Sequence, residues 1–253
     1  MTDPYEVYAL RYAHRDLDSS EVFLGDHAHL PMGMDYFIWA ITNGSRTVIV
    51  DLGFTEPVGT ARGRTFLRHP ADSLAEIGVD PSTVEDVVVT HFHYDHTGHH
   101  ALFPQARFVI QEREMAFYTG RFAPEPAFRR SVHEEDISAF VRLNYQQRIR
   151  FVDGEQELAP GIRVHHVGGH TAGMQVVSVA TERGRAVLAS DASHYYRNYQ
   201  EGIPFQTLHD IPGFYRGFAK LRELADAPDL IVPGHDPLVL ERLTPVGDGI
   251  VRL

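Results

Sequence analysis

The chain contains no cysteine, which excludes disulfides, thiolate nucleophiles and cysteine-ligated zinc sites together. Lysine occurs once, at Lys220, and tryptophan once, at Trp39. Acidic residues outnumber basic ones by 34 to 23, for a net charge of −11. A surface of that sign repels nucleic acid and anionic membranes, so neither is expected as a partner. No apolar run approaches the ~20 residues needed to span a bilayer. The opening stretch, MTDPYEVYALRYAHRDLDSS, mixes charges with aromatics and lacks the cationic start and apolar core of a secretory leader. A cytoplasmic enzyme acting on a small molecule is the expectation, with a homodimer left open.

Hydrophobic residues make up 43% of the 253, enough for the core of one domain. YFIWAIT (36–42), RTVIVDLGF (46–54) and VEDVVVTH (84–91) combine β-branched and aromatic residues with turn signals on both sides. They read as strands, the first two joined at Asn43-Gly44. A short helix is expected over 71–81, stopped by Gly78. RFVIQERE (107–114) reads as another strand, and 112–150 as a helical insertion or lid. Strands follow at 149–154, 161–170, 174–181 and 185–193, then a helix at 212–226 and a strand at 229–236. The expected fold is α/β: one domain over 1–253, with two packed sheets covered by helices on the outside.

Histidine is abundant, and five of the 16 lie in THFHYDHTGHH (90–100). If the strand continues to this point, its period of two sends His91, His93 and Asp95 to one side, and a tight turn brings His96 beside them. Packing imidazoles against a carboxylate without a cation is costly, so the spacing points to a divalent metal. Histidine and carboxylate donors suit zinc, with iron, manganese and cobalt as alternatives. Further ligand types follow β-rich runs at His170, Asp191 and His235.

These motifs resemble those of the metallo-β-lactamase superfamily. THFHYDHTGH is similar to its HxHxDH signature, and GGHTAG, SDAS and PGHDP are similar to its later metal motifs, in the same order. VIVDLGF resembles its early strand, where Asp51 would support the site. The resemblance implies an αββα sandwich of two mixed sheets flanked by helices. It further implies that His91, His93 and His170 hold one metal, that Asp95, His96 and His235 hold a second, and that Asp191 bridges them. Five neutral histidines and two carboxylates then carry −2 against the +4 of two dications, and a bridging hydroxide is the implied nucleophile.

Within the superfamily, the missing cysteine excludes the cysteine-ligated β-lactamases, and His93 stands where flavodiiron oxidoreductases carry Glu. The chain looks most like the N-acyl homoserine lactonases, through HFHYDHTG, FPQARFVIQEREM, GGHTAGMQVV and DASHYYRNYQEGIPF. The implied activity is hydrolysis of an N-acyl homoserine lactone or related carboxylic lactone. A glyoxalase II type thioesterase and a lactonase of aromatic catabolism are the alternatives. One departure stands out: three positions after the bridging aspartate those lactonases commonly carry a tyrosine, and this chain has His194, followed by Tyr195 and Tyr196. Asp95, His194 and Tyr195 are the catalytic candidates. HLPMGMDYFIWAI (29–41) and Phe117, Tyr118, Phe122 and Phe128 are candidates for an apolar pocket, with core packing or a dimer contact as the alternative.

Overall fold

The computed structural model describes residues 3–253. Two sheets face one another. In the larger, Thr244–Gly247, Ile250–Arg252, Glu6–Asp18, Pro31–Thr42, Thr47–Val50, Asp86–Val88, Arg107–Gln111 and Ile149–Val152 lie side by side in that order, and Thr65–Phe66 pairs with Glu6–Asp18. The smaller runs Ile231–Pro233, Gly184–Ser190, Gln175–Thr181, Ile162–His166, Glu155–Ala159. Thr47–Val50, Asp86–Val88, Arg107–Gln111 and Ile149–Val152 are mutually parallel, as are Gly184–Ser190 and Ile231–Pro233.

Alternation along the strands sets the layers. Val7, Ala9, Phe37, Trp39, Val48 and Val50 join Val164, Val177, Val179 and Val187 in the core between the sheets, while Tyr8, Leu10, Tyr12, Ile38 and Ile49 join a second core on the outer face. The helices Pro70–Glu76 and Glu134–Tyr145 cover that outer face with Leu74, Ile137, Phe140 and Leu143. Across the molecule, the helix Ile211–Leu224 lays Phe214, Phe218 and Leu221 on the smaller sheet, a helical stripe of spacing four and three. The order helix, sheet, sheet, helix is the αββα sandwich that the motifs imply. Among the described residues no helix is long and apolar enough to cross a membrane.

The strand Glu6–Asp18 was not anticipated, although it is the longest in the molecule. Its two faces are both buried, and a bulge between Arg11 and Ala13 shifts its register, so a single two-residue alternation does not survive along it. The strand expected over 107–114 ends at Gln111, where the helix Glu112–Tyr118 begins. Two more helices, Pro126–Arg129 and Glu134–Tyr145, occupy the rest of 112–150. The helix expected at 71–81 spans Pro70–Glu76, with Gly78 beyond it at φ 73°.

Candidate metal centre

Three strand ends open onto one edge of the sandwich, and two of them are finished by strained residues. Asp51 follows Thr47–Val50 with φ 65°, and Ser190 ends Gly184–Ser190 with φ 44°, conformations that cost roughly 1–3 kcal/mol each in a non-glycine residue. Their side chains meet. Asp51 accepts from the Thr90 amide at 2.8 Å, the Thr90 hydroxyl at 2.9 Å, the Ser190 hydroxyl at 3.2 Å and His96 Nδ1 at 2.8 Å. This knot ties the larger sheet to the smaller just ahead of His91. Gly234 completes the approach: a Cβ there would lie 2.8 Å from the Ser190 carbonyl oxygen and 3.0 Å from Asp191 Oδ1.

The strand-period expectation for His91, His93 and Asp95 fails in detail. The strand ends at Val88, and a bend at His93 leads into consecutive turns over 94–99, because the Thr90 amide is drawn to Asp51 instead of the sheet ladder. Turns gather the side chains all the same. His91, His93, His170 and Asp191 form one group of potential ligand atoms within 4.8 Å of one another, and Asp95, His96 and His235 form a second. All seven residues are buried.

Asp191 divides itself between the groups. Its Oδ2 lies 3.2 Å from His170 Nε2 and 3.6 Å from His91 Nε2, and its Oδ1 lies 2.9 Å from His235 Nε2 and 3.4 Å from His96 Nε2. The far nitrogens of these rings are anchored. His170 Nδ1 donates to the Thr207 carbonyl at 2.8 Å and His235 Nδ1 to the Asp35 carbonyl at 2.9 Å; His96 Nδ1 meets Asp51, and His91 Nδ1 sits 3.1 Å from the Thr90 hydroxyl. Such outer bonds select the tautomer whose Nε2 lone pair faces inward.

The donor set fits divalent cations. His91 Nε2, His96 Nε2 and Asp191 Oδ1 are buried without a hydrogen-bond partner, a cost that a shared cation removes. Burial, reinforced by neighbouring imidazoles, holds His91 and His93 well below the usual imidazole range, in the neutral form that ligates. Burial also acts to lower His96, but Asp51, Asp191 and Asp95 outweigh it and raise the group well above its ordinary value. Against the opposing effect of burial, the surrounding His194, His235, His96 and His91 hold Asp191 well below the carboxylate range.

A cavity of about 340 Å³ opens over the cluster, with His93, Asp95, His170, Asp191, His194 and His235 on its floor. Its wall carries Met34, Tyr36, Tyr94 and Phe205 beside Arg15, Arg62, Arg64 and Arg130.

Residues 33–235 match the family model described as the metallo-beta-lactamase superfamily. The chain belongs to that superfamily. It is 31% identical over 172 residues to the N-acyl homoserine lactonase AiiB of Agrobacterium fabrum, a match covering 65% of this chain and 61% of that one. To an N-acyl homoserine lactonase of a Bacillus species it is 26% identical over 136 residues, 52% of this chain and 48% of the relative. The matched stretch thus spans about half the length of the Bacillus relative. A solved quorum-quenching N-acyl homoserine lactone lactonase superposes with a TM-score of 0.81 at 20% identity, over 99% of each chain, which shows the shared fold.

Of the three catalytic candidates, the structure brings two to this superfamily site. Asp95 and His194 both line the cavity. His194 Nε2 lies 2.8 Å from Asp191 Oδ2, and its ring stacks on Phe205 with centroids 3.5 Å apart and planes 3° from parallel. Burial pushes its pKa down to about 3 despite Asp191, so the ring is neutral. Tyr195 does not reach the site: its backbone starts the helix Tyr196–Glu201, which turns the side chain toward Phe23 and lets its hydroxyl donate to the Gly33 carbonyl at 2.9 Å. The expected apolar pocket is also absent as drawn. Phe117 packs edge-on against Tyr118, Phe128 and His209, while Met34 and Tyr36 alone from 29–41 line the cavity.

Glu114 is a site residue that the sequence reading missed. Fully buried, it accepts from the Phe92 amide at 2.7 Å, the Gly173 amide at 2.7 Å and the Thr171 hydroxyl at 2.9 Å. It clasps the turn carrying His91 and His93 to the loop carrying His170. An acidic residue just past a strand end inside QEREM looks like helix surface, and no local signal separates it from Glu112.

Proposed function

We propose that this protein is a metal-dependent hydrolase that opens the ring of a carboxylic lactone, and that N-acyl homoserine lactones are the first substrates to test. The observation that carries the proposal is the division of Asp191 between two groups of histidines at the bottom of an open cavity. His91, His93 and His170 would hold one cation and Asp95, His96 and His235 the other, with Asp191 shared; zinc suits these donors best, ahead of iron, manganese or cobalt. Two dications there would supply Lewis acidity toward an ester carbonyl and acidify water at neutral pH. The fold reads as one domain with 112–150 as an insertion, whose Arg130 and Ser131 line the cavity.

The side chains have the remaining roles. His194, held flat by Phe205, carries one N–H, which faces Asp191 Oδ2 at 2.8 Å, and would give it to an oxygen of the substrate in exchange for that contact. Asp95 Oδ1 or Oδ2 takes a proton from the attacking water and returns it to the ring oxygen as the acyl C–O bond breaks, which yields a hydroxy acid. Support comes from the cluster's geometry and from the lactonases among the relatives. Metal-reconstituted protein given a medium-chain N-acyl homoserine lactone should release acid at a kcat/KM on the order of 10⁴ M⁻¹s⁻¹ or above, and a chelated control should not. His194→Ala should turn over more slowly with its metal content intact. Failure of the fully loaded protein to open any lactone would contradict the proposal.

Thioester hydrolysis is the second reading, and the arginines on the cavity wall favour it, because glutathione and phosphorylated carriers are anionic. S-lactoylglutathione in the same assay separates the two.

A further inference from the structure

On a chain with net charge −11, four arginines converge on the cavity over the metal cluster. The carboxylates lining it are Asp95 and Asp191 on the floor and Glu21, which pairs with Arg15 at 2.8 Å. Among the described residues, Arg62, Arg64 and Arg130 form no ion pair within 4.0 Å, unlike Arg163, Arg183 or Arg252 elsewhere on the surface. Acidic partners are plentiful in this composition, so their absence here is a local feature.

Uncharged groups hold two of these guanidinium groups in place. Arg62 donates to the carbonyls of Arg130 at 2.8 Å and Val132 at 2.7 Å and lies 4.1 Å from the centre of the Tyr94 ring. Arg64 donates from Nε to the Tyr94 hydroxyl at 2.9 Å and from a terminal nitrogen to the Arg62 carbonyl at 2.7 Å. Both are half-buried. Arg130 is exposed, and Arg15 keeps a buried Nε without a hydrogen-bond partner. Neutral anchors fix the position of a guanidinium and leave its charge without an ion pair, Asp95 acting on Arg64 only from beyond that distance. Planar forks of this kind match carboxylate and phosphate oxygens. The wall is also poor in the apolar surface that a long acyl chain requires, since Met34, Tyr36, Tyr94 and Phe205 are its large apolar or aromatic members.

We propose that the substrate carries a permanent anionic group, a carboxylate or a phosphate, away from the carbonyl that is attacked, and that Arg62, Arg64 and Arg130 bind it. This rests on the lactone-hydrolase reading and narrows it: a neutral acyl-homoserine lactone would be a weak surrogate for the preferred substrate.

The test uses three γ-butyrolactones that differ only at C5: the 5-carboxylate, the phosphate ester of the 5-hydroxymethyl compound, and the neutral 5-carboxamide. With metal-loaded protein, at least one anionic lactone should exceed the amide in kcat/KM by tenfold or more, and the better one identifies the group. That ratio should fall at least tenfold in Arg130→Ala and in Arg64→Gln, and should shrink as salt is added. Arg130→Ala guards against misfolding, because its side chain is exposed. Equal kcat/KM for all three, or a ratio indifferent to both variants, overturns the anionic substrate and leaves the hydrolase reading standing. If none is opened, the hydrolase reading is in difficulty and calorimetry decides the inference. Loaded protein should then bind 2-hydroxyglutarate or the phosphorylated ring-opened acid at least tenfold more tightly than the 1-monoamide of 2-hydroxyglutarate, with the difference lost in Arg130→Ala. Equal affinities overturn it.

Discussion

The floor and the wall of the cavity are built by different means. On the floor every ligand-type side chain is buried, and the far nitrogens of four rings are held by a backbone carbonyl, a carboxylate or a hydroxyl. On the wall Arg62, Arg64 and Arg130 range from half-buried to exposed, and residues far apart in the chain bring them together. On the proposed reading, the floor sets which bond breaks and the wall sets which molecule is held over it. Substitutions in the two places should therefore fail in different ways.

Asp191→Ala should have the largest effect. Both groups lose their shared carboxylate, so bound metal and lactone turnover should fall together, turnover by roughly 10³-fold or more, beyond the 10- to 100-fold expected for a partner of a ligand. Full activity in this variant would erase the distinction between floor and wall. Glu114→Ala should come next, in stability: two amides and a hydroxyl are left buried without an acceptor, at a cost of about 3 kcal/mol, read from urea unfolding. Asp51→Ala should weaken metal retention about 10- to 100-fold against a competing chelator, while the preference among lactones set by the wall should hold.

A smaller effect separates a histidine that only supports the floor from those that would ligate. His99 Nε2 donates to the Phe54 carbonyl at 2.9 Å, and burial pushes its pKa down to about 4. The folded state thus prefers the neutral ring. Its contribution is fully present above the unfolded value near 6.5 and is lost as pH falls through about 4. Between pH 7 and pH 4 the wild type should lose about 2 kcal/mol more stability than His99→Gln, measured by denaturant titration at both pH values. Equal losses would mean that His99 does not sense burial.

How much of this was legible beforehand follows the same division. The floor could be read because its ligand-type residues sit in short motifs after β-rich runs, and the αββα layering followed from apolar patterning together with those motifs. His91, His93 and Asp95 were placed together by a strand that ends three residues earlier, at Val88; a bend and turns carry them to the cluster instead, His91 and His93 in one group and Asp95 in the other. The wall left no such trace. Arg62 and Arg64 lie in a loop with no motif, Arg130 lies in the insertion, and Arg15 lies on a strand whose bulge hid its periodicity. Tyr195 failed as a candidate because the onset of a helix, which adjacency to His194 does not reveal, decides where its ring goes. Glu114 was hidden because its three donors come from segments distant in the chain.

Whether the floor is a two-cation site is the central claim, and elemental analysis tests it most directly. The protein is reconstituted with zinc, desalted to remove loose ions, and its metal is counted per chain. Two tightly held equivalents are expected; a count of zero or one after full reconstitution would rule out a pair of cations on the floor.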